Sequence, residues 1–84
     1  MSEPLYKAVL KDKPSTGPFP ILACQTNHAK ASLLIKQAMS WLLGQRREGH
    51  LVSSYNNADA NKCEAVIVLT DRNTALMLKL ALIR

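Results

Sequence analysis

Two cysteines and two histidines, Cys24, His28, His50 and Cys63, equal the ligand count of a structural zinc site. The spacing argues against that chemistry. Cys24-x3-His28 is a usable half-site, but His50 and Cys63 each stand without a second close ligand. Both cysteines fall in apolar runs, where a free thiol behaves as a small hydrophobe. The expectation is two packed thiols in strands, exposed histidines, no stoichiometric metal and no cofactor.

Other chemistry leaves little trace. With 3 glycines in 84 residues there is no glycine-rich phosphate cradle, neither G-x-x-x-x-G-K nor G-x-G-x-x-G. H-E-x-x-H, C-x-x-C and G-x-S-x-G are also missing. The acids Glu3, Asp12, Glu48, Asp59, Glu64 and Asp71 include no closely spaced pair for general acid–base work. Cys63, His50 and Asp71 remain as catalytic candidates without a supporting motif, so the reading is a protein that is not an enzyme.

Charge is more informative. The chain carries 11 Lys and Arg against 6 Asp and Glu, a net charge of +5. No acid lies between Asp12 and Glu48, while Lys13, Lys30, Lys36, Arg46 and Arg47 do; elsewhere acids and bases cancel. Such an interval suits an anionic partner, although a solvated helix face that keeps the chain soluble is the simpler and preferred account of it. Lys30, Lys36, Arg46, Arg47 and His50 are the candidate nucleic-acid contacts, through phosphates. Against that reading, the aromatics are few: Tyr6, Phe19, Trp41 and Tyr55. With Phe19 and Trp41 assigned to the core, no stacking platform for single strands is left.

These side chains must be positioned by a small number of elements. At 9.3 kDa the chain has room for one thin two-layer core, and residues 1–84 are expected to form one domain. Residues 5–11 (LYKAVLK) read as an edge strand, the lysines discouraging further pairing. Residues 12–18 (DKPSTGP) read as a turn. The apolar run 19–25 (FPILACQ) reads as a second strand, demoted to an edge by Pro20 and able to form a hairpin with the first.

Thr26 and Asn27 are both good N-cap residues before the clearest helix. Its apolar stripe is Ala31, Leu34, Ile35, Ala38, Trp41 and Leu42, and Gly49 is the expected stop. Leu33 and Leu43 fall on the opposite face, with Met39 at the margin. Residues 50–55 (HLVSSY) read as a strand, 56–62 (NNADANK) as a polar loop, and 63–70 (CEAVIVLT) as a buried central strand. Asp71 caps a last helix over 72–84, with Leu76, Leu80 and Ile83 on one face beside Met77, and Leu78 and Leu82 on the other. Leu76, Leu78, Leu80 and Leu82 also alternate as in a strand, but helix-forming residue types without β-branching in 76–82 favour the helix.

The expected fold class is therefore α+β: a small antiparallel sheet with helices on one face, in the order β-β-α-β-β-α. No basic n-region precedes an apolar stretch at the start, and no stretch is long enough to span a bilayer, so a soluble cytoplasmic protein is expected. The preferred function is a small accessory or regulatory protein that binds another protein and self-associates, with Leu33, Met39 and Leu43 as the partner-binding residues. The alternative is a basic nucleic-acid-binding regulator using the 30–47 helix.

Overall fold

The computed structural model describes residues 4–82. Strand β1 (Tyr6–Asp12) leads through a proline-containing loop into helix α1 (Pro20–Gly44). A single 3-10 turn (Glu48–His50) enters strand β2 (Leu51–Ala58), which turns back into strand β3 (Cys63–Leu69), and helix α2 (Arg72–Ala81) follows. The class is α+β as expected, and the order is β-α-β-β-α.

The sheet order is β1-β3-β2, with β3 antiparallel to both neighbours. β1 and β2 therefore run parallel on either side of β3, with α1 as the crossover between them. The apolar run 63–69 is central and buried, as its continuous β-branched character requires. Tyr6 pairs with Leu69 and Asp12 with Cys63 along one side; Leu51 and Ala58 meet the same two residues along the other, with a bulge at Val52.

The expected first hairpin does not form. Residues 20–25 are the first turns of α1, and β1 pairs with β3 instead. Pro20 sits where a helix has no use for an N–H, and its fixed φ already suits the first helical turn. The first α-helical bond follows at once, from the Ala23 amide to the Phe19 carbonyl at 3.1 Å. Cys24 is accordingly in a helix, not a strand. Phe19, expected in the core, is 68% exposed.

At the other end α1 stops at Gly44, short of the expected Gly49. The Arg46 amide donates to Leu43 O and the Arg47 amide to Leu42 O, which closes the last turn with Arg46 in the left-handed region (φ 56°). β2 also runs further than expected, taking in 56–58, so the hairpin loop is only 59–62.

Both helices lie on one face of the sheet, around Ala8, Leu10, Ala65, Ile67 and Leu69. Leu34, Ala38 and Leu42 come from α1, and Ala75 and Leu78 from α2. Ile35 and Trp41 pack against this cluster half-buried, so the expected stripe of α1 is the one that faces the sheet. Of the two apolar faces expected on α2, the one carrying Leu78 and Leu82 turns inward. Leu78 is buried and Leu82 half-buried, whereas Leu76 is 49% and Leu80 71% exposed; Ile83 lies outside the described residues.

Asn27, expected as an N-cap, is fully buried inside α1, about two turns from its start. Its Oδ1 accepts from the Ser15 amide at 2.7 Å, and its Nδ2 donates to Ser15 O at 3.1 Å and to Asp59 O at 2.8 Å. One side chain thus joins the β1–α1 loop to the β2–β3 turn. The turn is itself organised by Asp59 Oδ1, which accepts from the amides of Asn61 and Lys62. Asn27→Ala leaves the part-buried Ser15 amide and the Ser15 and Asp59 carbonyls without this partner and should lower unfolding stability by about 2 kcal/mol. Asn27→Asp should be worse at neutral pH, because a carboxylate would face two carbonyl oxygens, and should recover partly in acid. Urea unfolding at pH 7 and pH 4 measures both; an Asn27→Ala midpoint equal to that of the parent chain would refute the assignment.

Candidate functional site

The surfaces that remain after folding define what the chain can do. At 100° per residue, the buried residues of α1 (Ala23, Asn27, Ala31, Leu34, Ala38, Leu42) fill one side. Leu22, Ala29, Leu33, Lys36, Ser40 and Leu43 lie on the other. Leu22, Leu33 and Leu43 are 60%, 56% and 65% exposed. Lys30 and Lys36 are the only charged residues between Pro20 and Gly44, and only Lys36 lies on this outer face. Of the expected partner-binding residues, Leu33 and Leu43 share the face and Met39 sits half-buried on its flank. Leu22 was hidden from sequence reasoning because its segment read as a strand.

The five basic candidates do not form one surface. Lys36 and Arg46 are exposed. Lys30 is half-buried, its Nζ donating to Lys13 O at 3.1 Å. Arg47 turns inward, its Nη1 donating to Thr74 Oγ1 at 3.0 Å and lying 3.6 Å from Asp71 Oδ2. His50 Nδ1 lies 3.3 Å from Thr70 Oγ1. The last two belong to a polar cluster at the start of α2. There Asp71 Oδ2 accepts from both the amide and the hydroxyl of Thr74, at 3.0 and 2.6 Å. This is the expected N-cap, and Thr74, which is fully buried, relays it to Arg47.

The hydroxyl of Thr74, then its amide, hold the Asp71 carboxyl below its ordinary range; partial burial opposes them, and the charges of His50 and Arg47 add to the lowering.

The cysteine–histidine set is dispersed. Cys24 and His28 are one turn apart on α1, Cys63 is buried at the start of β3, and His50 precedes β2. His50 lies beside Thr70, so the length of β3, roughly 24 Å, separates it from Cys63. Among the described residues, no three His, Cys, Asp or Glu side chains gather into a cation site. The Cys63 thiol donates to Asn27 O at 3.3 Å. Burial, then repulsion from Asp12, pushes its pKa up, with Lys30 opposing. A thiol held this way stays protonated at neutral pH and is a poor nucleophile.

A second apolar surface lies at the β1 edge. A groove of about 920 Å³ lies between β1 and α2, lined by the apolar Val9, Leu10, Leu76, Leu80 and Leu82 and by the charged Lys11, Glu64 and Lys79.

Two variants probe the helix-end geometry. Arg46→Gly removes the left-handed penalty of a side chain and should raise stability by about 1 kcal/mol, read by thermal or urea unfolding. Asp71→Asn keeps a capping oxygen but removes the charge. A carboxyl depressed in the folded chain stabilises above its unfolded pKa, near the ordinary 3.8, and that contribution vanishes as pH falls through the lower folded value. The parent chain should therefore exceed Asp71→Asn in stability at pH 7, with the gap closing in acid below 3.8. A gap of constant size down to about pH 2 would contradict this linkage. In comparisons with known proteins, no family model, no curated protein and no solved structure matches the chain.

Proposed function

We propose that the chain is a non-enzymatic accessory protein that works by binding protein, and that it self-associates through the outer face of α1. The observation that carries this reading is the line of exposed leucines at 22, 33 and 43 on an acid-free helix of 25 residues. Their spacing is nearly symmetric about Leu33. Two copies of α1 packed antiparallel about a two-fold axis at that residue would bring Leu33 onto the partner's Leu33, and Leu22 onto the partner's Leu43. Ala29 and Ser40 leave room for close approach, and Lys36 would sit beside the partner's Ala29. An isologous contact needs this self-complementarity.

Six leucines contribute about 2 kcal/mol each when covered, about 12 in total, against an association cost of roughly 4–15 kcal/mol. Gain and cost are of similar size, so the expected dimer is weak, with a dissociation constant no tighter than about 1 µM. The alternative, nucleic-acid binding, keeps only Lys36 and Arg46 as uncommitted cations among its five candidates. Two such contacts support only non-specific binding, with dissociation constants of about 10⁻⁴–10⁻⁶ M.

Sedimentation equilibrium over roughly 1–300 µM should give a mass rising from 9.3 kDa toward twice that value. Leu33→Glu puts two carboxylates at the axis and should hold the chain monomeric with unchanged circular dichroism, since the side chain is exposed in the monomer. A constant 9.3 kDa throughout would sink the self-association reading. Nanomolar binding to duplex DNA or RNA in 150 mM salt, lost in Lys36→Ala/Arg46→Ala, would put the nucleic-acid reading in its place.

A further inference from the structure

The groove beside β1 has what a strand-adding peptide requires. Among the described residues β1 pairs only with β3, so along its seven residues the alternate backbone donors and acceptors of the other edge have no strand partner. That is roughly 24 Å of template, the span of a six- or seven-residue extended segment. α2 packs beside β1, and its exposed Leu76 and Leu80 line the groove with half-buried Val9 and Leu82. Backbone pairing along the strand and alternate side chains in an apolar trough are the two components of recognition by strand addition.

Charge selects the occupant. Lys11 and Lys79 line the two walls, with Lys7 further along β1. Among the described residues Glu64 is the only acid lining the groove; it lies 3.7 Å from Lys11 Nζ and accepts from Asn57 Nδ2 at 2.9 Å. Lys79 and Lys7 therefore carry the positive charge that no groove acid offsets, and Lys11, 73% exposed, is shared with Glu64. A second copy is a poor fit. An antiparallel β1 pair centred on Val9 sets Lys7 across from the partner's Lys11 twice, and directly opposed like charges destabilise a sheet. An apolar floor is also the wrong bed for a phosphate backbone.

We propose that this groove binds an extended acidic segment of another protein, which adds to β1 as a fourth strand with its apolar side chains toward Leu76 and Leu80. This rests on the protein-binding reading above, and specifies the partner's chemistry at a surface separate from the α1 face.

The probe is a decapeptide display library selected on the full chain, followed by titration of one enriched peptide into ¹⁵N-labelled protein. Enriched peptides should alternate apolar residues with Asp or Glu. Binding should perturb the amides of β1 and α2, and slow exchange of β1 amides that are unprotected in the free chain. Lys11→Glu/Lys79→Glu should weaken an acidic peptide by about tenfold, and a peptide with Lys in place of its acids should regain that factor on the same variant. N-methylation of alternate peptide amides should abolish binding, because it removes strand hydrogen bonds while keeping the side chains. Leu80→Ser, exposed in the free chain, should weaken binding without loss of fold.

No enrichment over background would overturn the proposal, as would enriched peptides without acids. So would a single-stranded oligonucleotide that perturbs β1 and outcompetes the peptide. Peptides that perturb the outer face of α1 and leave β1 unchanged would sink the groove while supporting the broader protein-binding reading. A chain that stays monomeric at all concentrations but takes acidic peptides at β1 would sink self-association and leave the groove intact.

Discussion

Asn27 is the interaction on which the far end of the fold depends. A carboxamide in the interior costs several kcal/mol unless its donors and acceptor are met. Here Oδ1 and Nδ2 engage the same Ser15 peptide, and Nδ2 also reaches Asp59 O. The backbone oxygen of Asn27 accepts from Cys63 Sγ as well. A loop, a turn and the start of the central strand are thereby referred to one helical residue. Among the described residues no buried side-chain nitrogen or oxygen lacks a partner, so the network is complete.

The opposite end of the sheet is closed by a different polar unit. Asp71 caps α2 through Thr74, and Arg47 reaches Thr74 from beyond the end of α1. The Arg47–Asp71 ion pair itself is long and about one-third exposed, so its direct contribution is small. Its role is geometric: it sets where α2 begins relative to α1. Between the two polar ends, the helices approach the sheet over small residues, Ala8, Ala31, Ala38, Ala65 and Ala75, all buried.

That close approach has a consequence for function. With alanine at Ala8, Ala23, Ala31, Ala38, Ala65 and Ala75 of its core, the fold leaves several large apolar side chains outside, at Ile21, Leu22, Leu33, Leu43, Leu76 and Leu80. Isolated exposed leucines are ordinary on a protein surface. Here they fall into two separate arrays, one along α1 and one beside the β1 edge, and each has its own geometry for a partner. The two proposed contacts use different chemistry: helix packing with self-complementary spacing in one, strand addition with a basic rim in the other.

Local signals were legible in the sequence. The period of 3.6 residues over 31–42 identified the buried side of α1, the β-branched run 63–69 identified the central strand, and Asp71 identified the start of α2. Leu33 and Leu43 were correctly set on the outer face by the same periodicity. Where two local readings competed, contacts from distant residues chose between them. Pro20 serves an edge strand or a first helical turn equally well, and the burial of Ala23 and Asn27 settled it as helix. Asn27 has the residue type of a cap, yet its partners lie 12 and 32 positions away. Arg47 has the look of a surface cation, but Thr74 draws it inward. For α2, periodicity defined two apolar faces of similar strength, and only packing against β1 decided that Leu78 is buried while Leu76 and Leu80 border a groove. Periodicity and capping depend on neighbours along the chain and are present in the sequence; burial of a particular side chain depends on what the fold brings beside it, and that exists only in three dimensions.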